Sequence, residues 1–373
     1  MESHHLIVPF GQAIITRREH LKKAASQGKK VLGYFCTYTP LEILHASGFI
    51  PVRIWGGKDN VERAYSLVPN FICPFMRLSL EKALHGEFDF LSGLVQGYTC
   101  DVACGLVNIW KENFPAIFYH SIPLPYNDTV DSRAFLRSSL VELTEKLAGI
   151  GGRFTEDALD ASLNLYGEIR HILTELSQRR YRADCNIDAA DFLTVVQAGF
   201  VKEPEEYLGM LRELMGELDK GKGVSSGQRI PVLISGSVIE DADILSLVEQ
   251  LGFRVVADDL CTGIRSFTPV SGTGDSPLER MMDRIMKHFP CPSRTHPRDR
   301  IPLMKDLVKL SGAKGVIFLF QKFCTPHLAD HPKVAQALRD AGVPSISIEM
   351  DETGLMEAQV RTRLETFSDM LEA

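Results

Sequence analysis

Hydrophobic and polar positions along the chain follow a pattern that predicts strands and helices in alternation. Short apolar runs typical of buried strands, such as residues 31–36 and 91–97, alternate with amphipathic segments whose apolar residues recur at helical spacing. This rhythm occupies the first 130 residues and resumes near residue 226. It predicts an α/β protein with two Rossmann- or flavodoxin-like domains, each a doubly wound parallel sheet covered by helices.

A helical segment is expected between these two domains. Residues 131–225 carry long amphipathic helices, and the Gly- and Ser-rich stretch 221–228 is the best candidate for a linker. We therefore predict an N-terminal α/β domain at 1–130, a helical layer at 131–225 and a C-terminal α/β domain at 226–373.

Cysteine recurs where the strand-like runs end. Four runs end on a cysteine, and two further cysteines each precede a proline, which disfavours a helix at that position. Ligands of open α/β sheets lie beyond the carboxyl ends of the strands, so these thiols would converge if the two sheet edges faced one cleft. The six candidates are Cys36, Cys73, Cys100, Cys261, Cys291 and Cys324.

Several interpretations of the cysteines stay open. A single buried cysteine is often no more than a small hydrophobic residue, and Cys185 is assigned no role. Cys104 lies one helical turn after Cys100, where it either packs against the sheet or serves as a reserve ligand. A catalytic cysteine with His120 or His327 as base would explain one thiol only. Ligands scattered over two domains, without the close pairs typical of zinc, favour an iron–sulfur cluster.

The charge balance restricts the partners. The chain carries 41 Lys and Arg against 48 Asp and Glu, a net charge of −7, which argues against a nucleic-acid or anionic membrane surface. The sequence has no apolar run of about 18 residues, so we expect no transmembrane helix. The N-terminal 30 residues are typical of a polar, lysine-rich helix and not of a signal peptide. We therefore expect a cytoplasmic protein with reduced cysteines.

Common phosphate-binding motifs are missing from the sequence. Neither G-x-x-x-x-G-K-[ST] nor G-x-G-x-x-G after a strand occurs, so we expect neither ATP hydrolysis by this chain nor a bound dinucleotide. Residues 233–237 fit either a phosphate-binding turn or a plain βα loop. Four basic residues near the predicted cleft would meet anionic groups or form structural salt bridges: Arg53, Arg77, Arg265 and Lys322.

With these residues identified, the chain resembles the family of 2-hydroxyacyl-CoA dehydratase components and benzoyl-CoA reductase subunits. The resemblance extends over most of the chain outside the helical middle. It is carried by residues 33–56, 73–101, 258–267, 315–332 and 347–367, which include the strand-end cysteines and both flanks of the helical segment.

The resemblance implies an oxygen-sensitive [4Fe-4S] cubane held by three cysteines, which correspond here to Cys36, Cys73 and Cys324. It also implies a separate ATP-hydrolysing iron–sulfur activator that donates a low-potential electron. The electron passes to the thioester carbonyl of an acyl-CoA substrate, and the ketyl radical then permits dehydration or reduction. Members pair as homodimers or as heterodimers with a homologous subunit and function under anaerobic conditions.

One branch of this family implies a different cofactor. Proteins there carry six such cysteines and a double-cubane [8Fe-9S] cluster that reduces small molecules without a CoA substrate. Under that resemblance Cys100, Cys261 and Cys291 would hold a second cubane. A third interpretation is a non-redox binding protein with inert cysteines.

Acid–base residues are predicted only by their position. His120, Glu349 and Asp351 are expected just after strands, close to the same sheet edges. We take His120 and Glu349 as the catalytic candidates that would move a proton, and a packing or capping role is the alternative for each.

Overall fold

The computed structural model describes residues 4–182, 184–220, 229–268, 272–351 and 357–372. Its two sheets are each built from four parallel strands, and helices surround both, so the predicted α/β fold with two parallel sheets is confirmed. The linker predicted at 221–228 lies outside the described residues.

Both sheets have the same strand order. The first is β2-β1-β3-β4 and the second is β6-β5-β7-β8, so in each sheet the order reverses beside the first strand. Such a reversal places a crevice at the carboxyl ends of the central strands. The strands are β1 Lys30–Tyr34, β2 Phe49–Arg53, β3 Gly93–Gly97, β4 Phe118–Ile122, β5 Ile230–Gly236, β6 Phe253–Asp259, β7 Gly315–Gln321 and β8 Ser345–Met350.

Helices connect the strands and fill the middle of the chain. In chain order they are α1 His4–Ile15, α2 Arg17–Ser26, α3 Leu41–Ala46, α4 Pro74–Leu84, α5 Asp101–Asn113, α6 Val130–Gly149, α7 Glu156–Tyr181, α8 Ala189–Ala198, α9 Pro204–Lys220, α10 Asp243–Gln250, α11 Ile264–Phe267, α12 Pro277–Met286, α13 Pro297–Ser311, α14 Thr325–Asp340 and α15 Glu357–Glu372. A 3-10 turn lies at Ala64–Ser66.

Each sheet has its own hydrophobic core. Leu32 and Leu94 of the first sheet and Ile234 and Ile317 of the second are fully buried. Strands buried on both faces have continuous apolar runs, such as GVIFLFQ in β7. Because both faces of the strands are covered, a ligand would approach the sheets at the ends of the strands and the loops beyond them.

The helical layer between the sheets is built on α7. This helix packs against α3 on the side of the first sheet and against β6 of the second sheet. Helices α6 to α9 lie within the predicted helical segment, whose limits at 131 and 225 stay a prediction. Nowhere in the described ranges is a helix both long and apolar enough to cross a membrane.

The N-terminus differs from the sequence-based expectation. Instead of one polar, lysine-rich helix the structure has two, and only α2 carries the lysines. Helix α1 buries Ile7 and Phe10 against α8 and α9, where Phe10 meets Tyr207 edge to face. Apolar residues among the polar ones in the first 15 positions made this helix amphipathic.

Candidate functional site

Four cysteines follow strands in the structure. Cys36 lies two residues after β1 and Cys100 three residues after β3, on either side of the crevice in the first sheet. Cys261 lies two residues after β6 and Cys324 three residues after β7 in the second sheet. The strands therefore end slightly before the cysteines, which occupy the loops where ligands of this fold bind.

The two cysteines that precede prolines also lie next to helices. Cys73 has an extended backbone and is the N-cap of α4, with Pro74 as the first helical residue. Cys291 lies between α12 and α13 and is 6% exposed. Proline in both places stops the cysteine from becoming part of a helix.

These thiols lie within electrostatic reach of one another across the two sheets. Burial raises the pKa of Cys36 to about 11, and the thiols of Cys291 and Cys261 raise it further. Burial also raises the pKa of Cys100 to about 12, with additional contributions from Cys36, Cys324 and Cys291. Thiols at the edge of one sheet therefore influence the ionisation of thiols at the edge of the other.

Cys73 and Cys324 complete the arrangement. Burial raises the pKa of each to about 12, and neighbouring cysteines raise it further. The thiol of Cys100 contributes to the raised pKa of Cys73, and the thiols of Cys73 and Cys261 contribute to the raised pKa of Cys324. We call the resulting set the six-cysteine group: Cys36, Cys73, Cys100, Cys261, Cys291 and Cys324.

The other two cysteines have different electrostatic surroundings. The charges that act on the pKa of Cys104 come from Asp101 and Arg294, while those around Cys185 come from the α7 end. Cys104 lies one helical turn after Cys100, and its amide bonds to the Cys100 carbonyl at 3.1 Å, so both roles expected for it stay predictions. Cys185 is still assigned no role.

Among the described residues, no three His, Cys, Asp or Glu side chains are close enough to hold a single metal ion. In an iron–sulfur cluster the cysteine ligands bind different irons, and a cluster at the six-cysteine group stays a prediction.

Helix N-termini face three of the thiols. Cys73, Cys100 and Cys324 are the N-caps of α4, α5 and α14. The amide of Ala103 donates to the sulfur of Cys100 at 3.5 Å. Because the first turn of a helix carries partial positive charge, these three positions favour a thiolate over a thiol and offset part of the effect of burial.

A buried arginine lies directly against the group. Arg265 is 1% exposed, and its Nη1 donates to the sulfur of Cys261 at 3.3 Å and to the carbonyl of Gly236 at 2.9 Å. Its Nη2 lies 2.7 Å from Asp259 Oδ1. Burial opposes ionisation of Asp259, but Arg265 and Arg300 outweigh it and lower the pKa of that carboxyl to about 2. The sequence identified Arg265 but not its partner.

Two glutamines at strand ends fix the cysteine loops. Gln96 accepts a bond from the amide of Phe35 at 3.1 Å, one residue before Cys36. Gln321 accepts from the amide of Phe75 at 3.1 Å and donates to the carbonyl of Val238 at 3.1 Å, which joins the two sheet edges. Sequence analysis missed both residues, although a polar amide inside an apolar strand run was a usable signal.

The backbone before Cys324 is strained. Phe323 has φ 63°, the left-handed region that non-glycine residues rarely adopt. Such conformations persist where the surrounding structure requires them, and they concentrate at functional sites. The turn brings Cys324 to the start of α14, where its amide bonds back to the carbonyl of Gln321 at 3.0 Å.

The predicted acid–base residues do not join the six-cysteine group. His120 lies inside β4 instead of after it, and the charges that act on its pKa are Glu142 and Lys146 of α6. Glu349 lies inside β8 and is exposed, while Asp351 follows β8 and pairs with Lys322 at 3.0 Å. A catalytic role for His120 and Glu349 stays a prediction.

The other predicted basic residues have protein partners. Arg53 donates to the carbonyl of Cys261 at 3.0 Å, a bond between the two halves of the chain. Arg77 bonds to the hydroxyl of Tyr65 at 2.6 Å and lies 3.5 Å from Asp351. Both therefore position the loops around the cysteines.

A cavity of about 260 Å³ adjoins the six-cysteine group. Tyr38 lines it, and burial together with the thiols of Cys291 and Cys36 raises the pKa of this phenol. The ring of His288 stacks on Tyr38 at 4.0 Å, and Arg294 lines the same cavity. Burial lowers the pKa of His288 to about 3, so its ring is neutral.

Comparison with known proteins finds one family along nearly the whole chain. The model of the 2-hydroxyglutaryl-CoA dehydratase D-component family matches residues 36–371. The chain is 26% identical over 97% of its length to the (R)-phenyllactyl-CoA dehydratase beta subunit of Clostridium sporogenes, covering 97% of that protein. It is 28% identical over 94% of its length to a benzoyl-CoA reductase subunit of Thauera aromatica, covering 92% of that protein.

A third relative has a similar extent. The (R)-2-hydroxyglutaryl-CoA dehydratase subunit beta of Acidaminococcus fermentans is 27% identical over 98% of this chain and 99% of its own length. All three relatives are named as subunits of larger enzymes.

Proposed function

The chain belongs to the 2-hydroxyglutaryl-CoA dehydratase D-component family, and we propose that it is the iron–sulfur component of a 2-hydroxyacyl-CoA dehydratase-like enzyme. As a member it is an enzyme component of the dehydratase and reductase type. The observation that carries the proposal is the six-cysteine group, which lies where the carboxyl edges of the two sheets meet. A chain of this family can hold an iron–sulfur cluster only if it brings several cysteine ligands to one place.

The chemistry of the donors fits an iron–sulfur cluster. Burial raises the pKa of Cys36, Cys73, Cys100, Cys291 and Cys324, so these thiols need a positive centre nearby if they are to act as thiolate ligands. Iron–sulfur clusters are bound by cysteine thiolates. In this proposal Cys36, Cys73 and Cys324 hold a [4Fe-4S] cubane, the cofactor that the family resemblance implies.

When bound, the cluster supplies a low-potential electron to the thioester carbonyl of an acyl-CoA. A separate ATP-hydrolysing iron–sulfur activator is the proposed source of that electron, because this chain lacks a phosphate-loop motif. The activator, the CoA substrate and a cytoplasmic location are all part of the proposal.

The cavity beside the cysteines is the proposed place for the thioester. Tyr38 lines this cavity and keeps its proton, because burial raises the pKa of its hydroxyl. Arg294, whose Cζ lies 4.9 Å from the Tyr126 ring centroid, supplies positive charge for a carbonyl or phosphate oxygen. The chain would thereby orient the substrate and offer the Tyr38 hydroxyl as a hydrogen-bond donor.

A partner subunit is proposed from the relatives' names. Each is one subunit of a larger enzyme, so this chain would form a homodimer or pair with a homologous subunit. The net charge of −7 does not favour nucleic acid or an anionic membrane as a further partner.

A double-cubane reductase is the second candidate, favoured by one observation. The thiols that lie close together are six, and not only the three of a single cubane. Cys100, Cys261 and Cys291 would then hold the second half of an [8Fe-9S] cluster that reduces small molecules without CoA.

The test measures dehydration of a 2-hydroxyacyl-CoA by anaerobic protein supplied with activator and ATP. We expect ATP-dependent turnover that Cys36→Ser abolishes and that Cys185→Ser, outside the six-cysteine group, leaves intact. Turnover of a small molecule with no binding of acyl-CoA would favour the second candidate. Equal activity of the Cys36 and Cys185 variants would contradict both.

A further inference from the structure

A second cavity, of about 160 Å³, lies between the start of α2, the end of β2 and the loop that follows β5. We call it the Arg17–Arg53 cavity. An apolar cavity of about 150 Å³ holds a benzene molecule, so this one has room for a ligand of about six non-hydrogen atoms. The side chains in its lining that carry polar atoms are Arg17, Arg53, Trp55, Gln197, Glu240 and Thr262.

Three buried donors in this lining have no hydrogen-bond partner among the described residues. They are the Nε of Arg17, the Nε of Arg53 and the indole Nε1 of Trp55. Arg53 and Trp55 are each only 5% exposed. Buried polar groups of native proteins nearly always have a partner, so the cavity lacks acceptors that these donors require.

The donors are held in place by aromatic rings. The guanidinium carbon of Arg17 lies 4.4 Å from the ring centroid of Trp55, and that of Arg53 lies 4.8 Å from the ring of Phe200. Such stacking fixes the planes of both guanidinium groups. Fixed planes are suited to recognition of a planar or tetrahedral oxyanion.

The charged groups of the lining also favour an anion, because the positive charges outnumber the negative ones. Two guanidinium groups face one carboxyl, that of Glu240, whose Oε2 already accepts the amides of Gly56 at 3.0 Å and Gly57 at 2.8 Å. The sum is one net positive charge. Water could satisfy the free donors but would leave this charge, whereas an anion would satisfy the donors and also neutralise the charge.

We propose that the Arg17–Arg53 cavity binds a small oxyanion, either a phosphate group or a carboxylate. The site is independent of the six-cysteine group in composition, and its ligand binds with or without iron. It is nevertheless linked to that group, because Arg53 donates to the carbonyl of Cys261 at 3.0 Å and Thr262 lines the cavity. An occupied cavity therefore holds the Cys261 loop more rigidly.

The test is calorimetric titration of the full chain with inorganic phosphate and, separately, with acetate, at constant ionic strength. We expect saturable binding of at least one, with one site per chain. Phosphate alone identifies a phosphoryl ligand, and acetate alone identifies a carboxylic acid. Arg17→Gln should weaken binding about tenfold, and Trp55→Phe, which removes one donor and keeps the ring, several-fold.

The matched control is Lys22→Gln, which removes one positive charge from an exposed position of the same helix α2. Lys22 does not line the cavity, so its loss should leave both affinities unchanged. Lack of saturable binding by either anion would overturn the proposal, as would equal affinities in all three variants. Crystals grown with selenate provide a second test, in which an anomalous peak inside the Arg17–Arg53 cavity is expected and peaks elsewhere alone would contradict the site.

Discussion

The guanidinium Nη1 of Arg265 lies 3.3 Å from the sulfur of Cys261, which fixes a positive charge against the six-cysteine group. Asp259 and the carbonyl of Gly236 hold this guanidinium from behind, in an environment without solvent. A positive charge and a hydrogen bond at a sulfur both favour the more negative state of whatever the sulfur binds. If the six-cysteine group holds the proposed cluster, Arg265 would position the Cys261 loop and tune the reduction potential of the cluster.

Arg265→Gln should shift the reduction potential of the bound cluster to a more negative value, because the fixed charge is lost. It should also lower the free energy of unfolding by about 3–5 kcal/mol, since Asp259 loses a buried ionic partner. Arg265→Lys keeps the charge and should shift the potential less. Potentiometric titration followed by electron paramagnetic resonance measures the shift, and an unchanged potential in the Gln variant would exclude the tuning role.

Gln321 should determine how the two sheet edges are aligned. Gln321→Leu removes its bonds to the amide of Phe75 and the carbonyl of Val238, which should lower the free energy of unfolding by about 1–3 kcal/mol. The loop of Cys73 would also be released, so iron content should fall. Chemical denaturation and iron analysis are the measurements. Gln336→Leu, an exposed glutamine of α14, is the control expected to change neither quantity.

His288 should make the protein less stable in acid. Its pKa is lowered to about 3 in the fold, while a free imidazole has a pKa near 6.5. Between these values the unfolded chain binds a proton that the folded chain excludes, so stability falls as pH drops below about 6.5. His288→Gln should lessen that fall, which thermal unfolding from pH 7 to pH 4 will measure. Parallel pH curves for the two proteins would mean that His288 does not contribute.

Individual cysteines should differ in their effect on iron. Serine at Cys36, Cys73 or Cys324 removes a proposed ligand of the first cubane and should abolish iron binding, because few ligands remain. Serine at Cys185 should leave the iron content unchanged, since this thiol lies near the end of α7. Iron analysis of the reconstituted variants checks the prediction, and a full complement in all of them would contradict the assignment.

Much of the fold follows from local patterns. The apolar runs of β1 and β7 and the long amphipathic repeat of α7 predict their own structure, because burial on both faces or on one helical stripe leaves a clear period. Helix α8 leaves a weaker local signal, because six of its ten residues are buried and AADFLTVVQA shows little polar alternation. Helix α13 is also hard to predict locally, because Pro302 interrupts its sequence.

The sequence predicted the cysteines of the site but not the residues that position them. The cysteines could be identified because strand ends meet at one edge of a parallel sheet, a rule that applies before any contact is known. Gln96 and Gln321 act through residues distant in sequence, and no local pattern encodes such contacts. His120 was expected after a strand, yet it lies within β4 and faces α6, because strand boundaries depend on tertiary pairing.

Whether the six-cysteine group holds an iron–sulfur cluster is tested most directly on anaerobically purified protein. The measurements are the iron and acid-labile sulfide content per chain and the visible spectrum. We expect a coloured protein with about four irons per chain for a single cubane, or about eight if all six cysteines hold a double cubane. A colourless protein that stays free of iron after cluster reconstitution would contradict it, and the six-cysteine group would then be a buried structural feature without a cofactor.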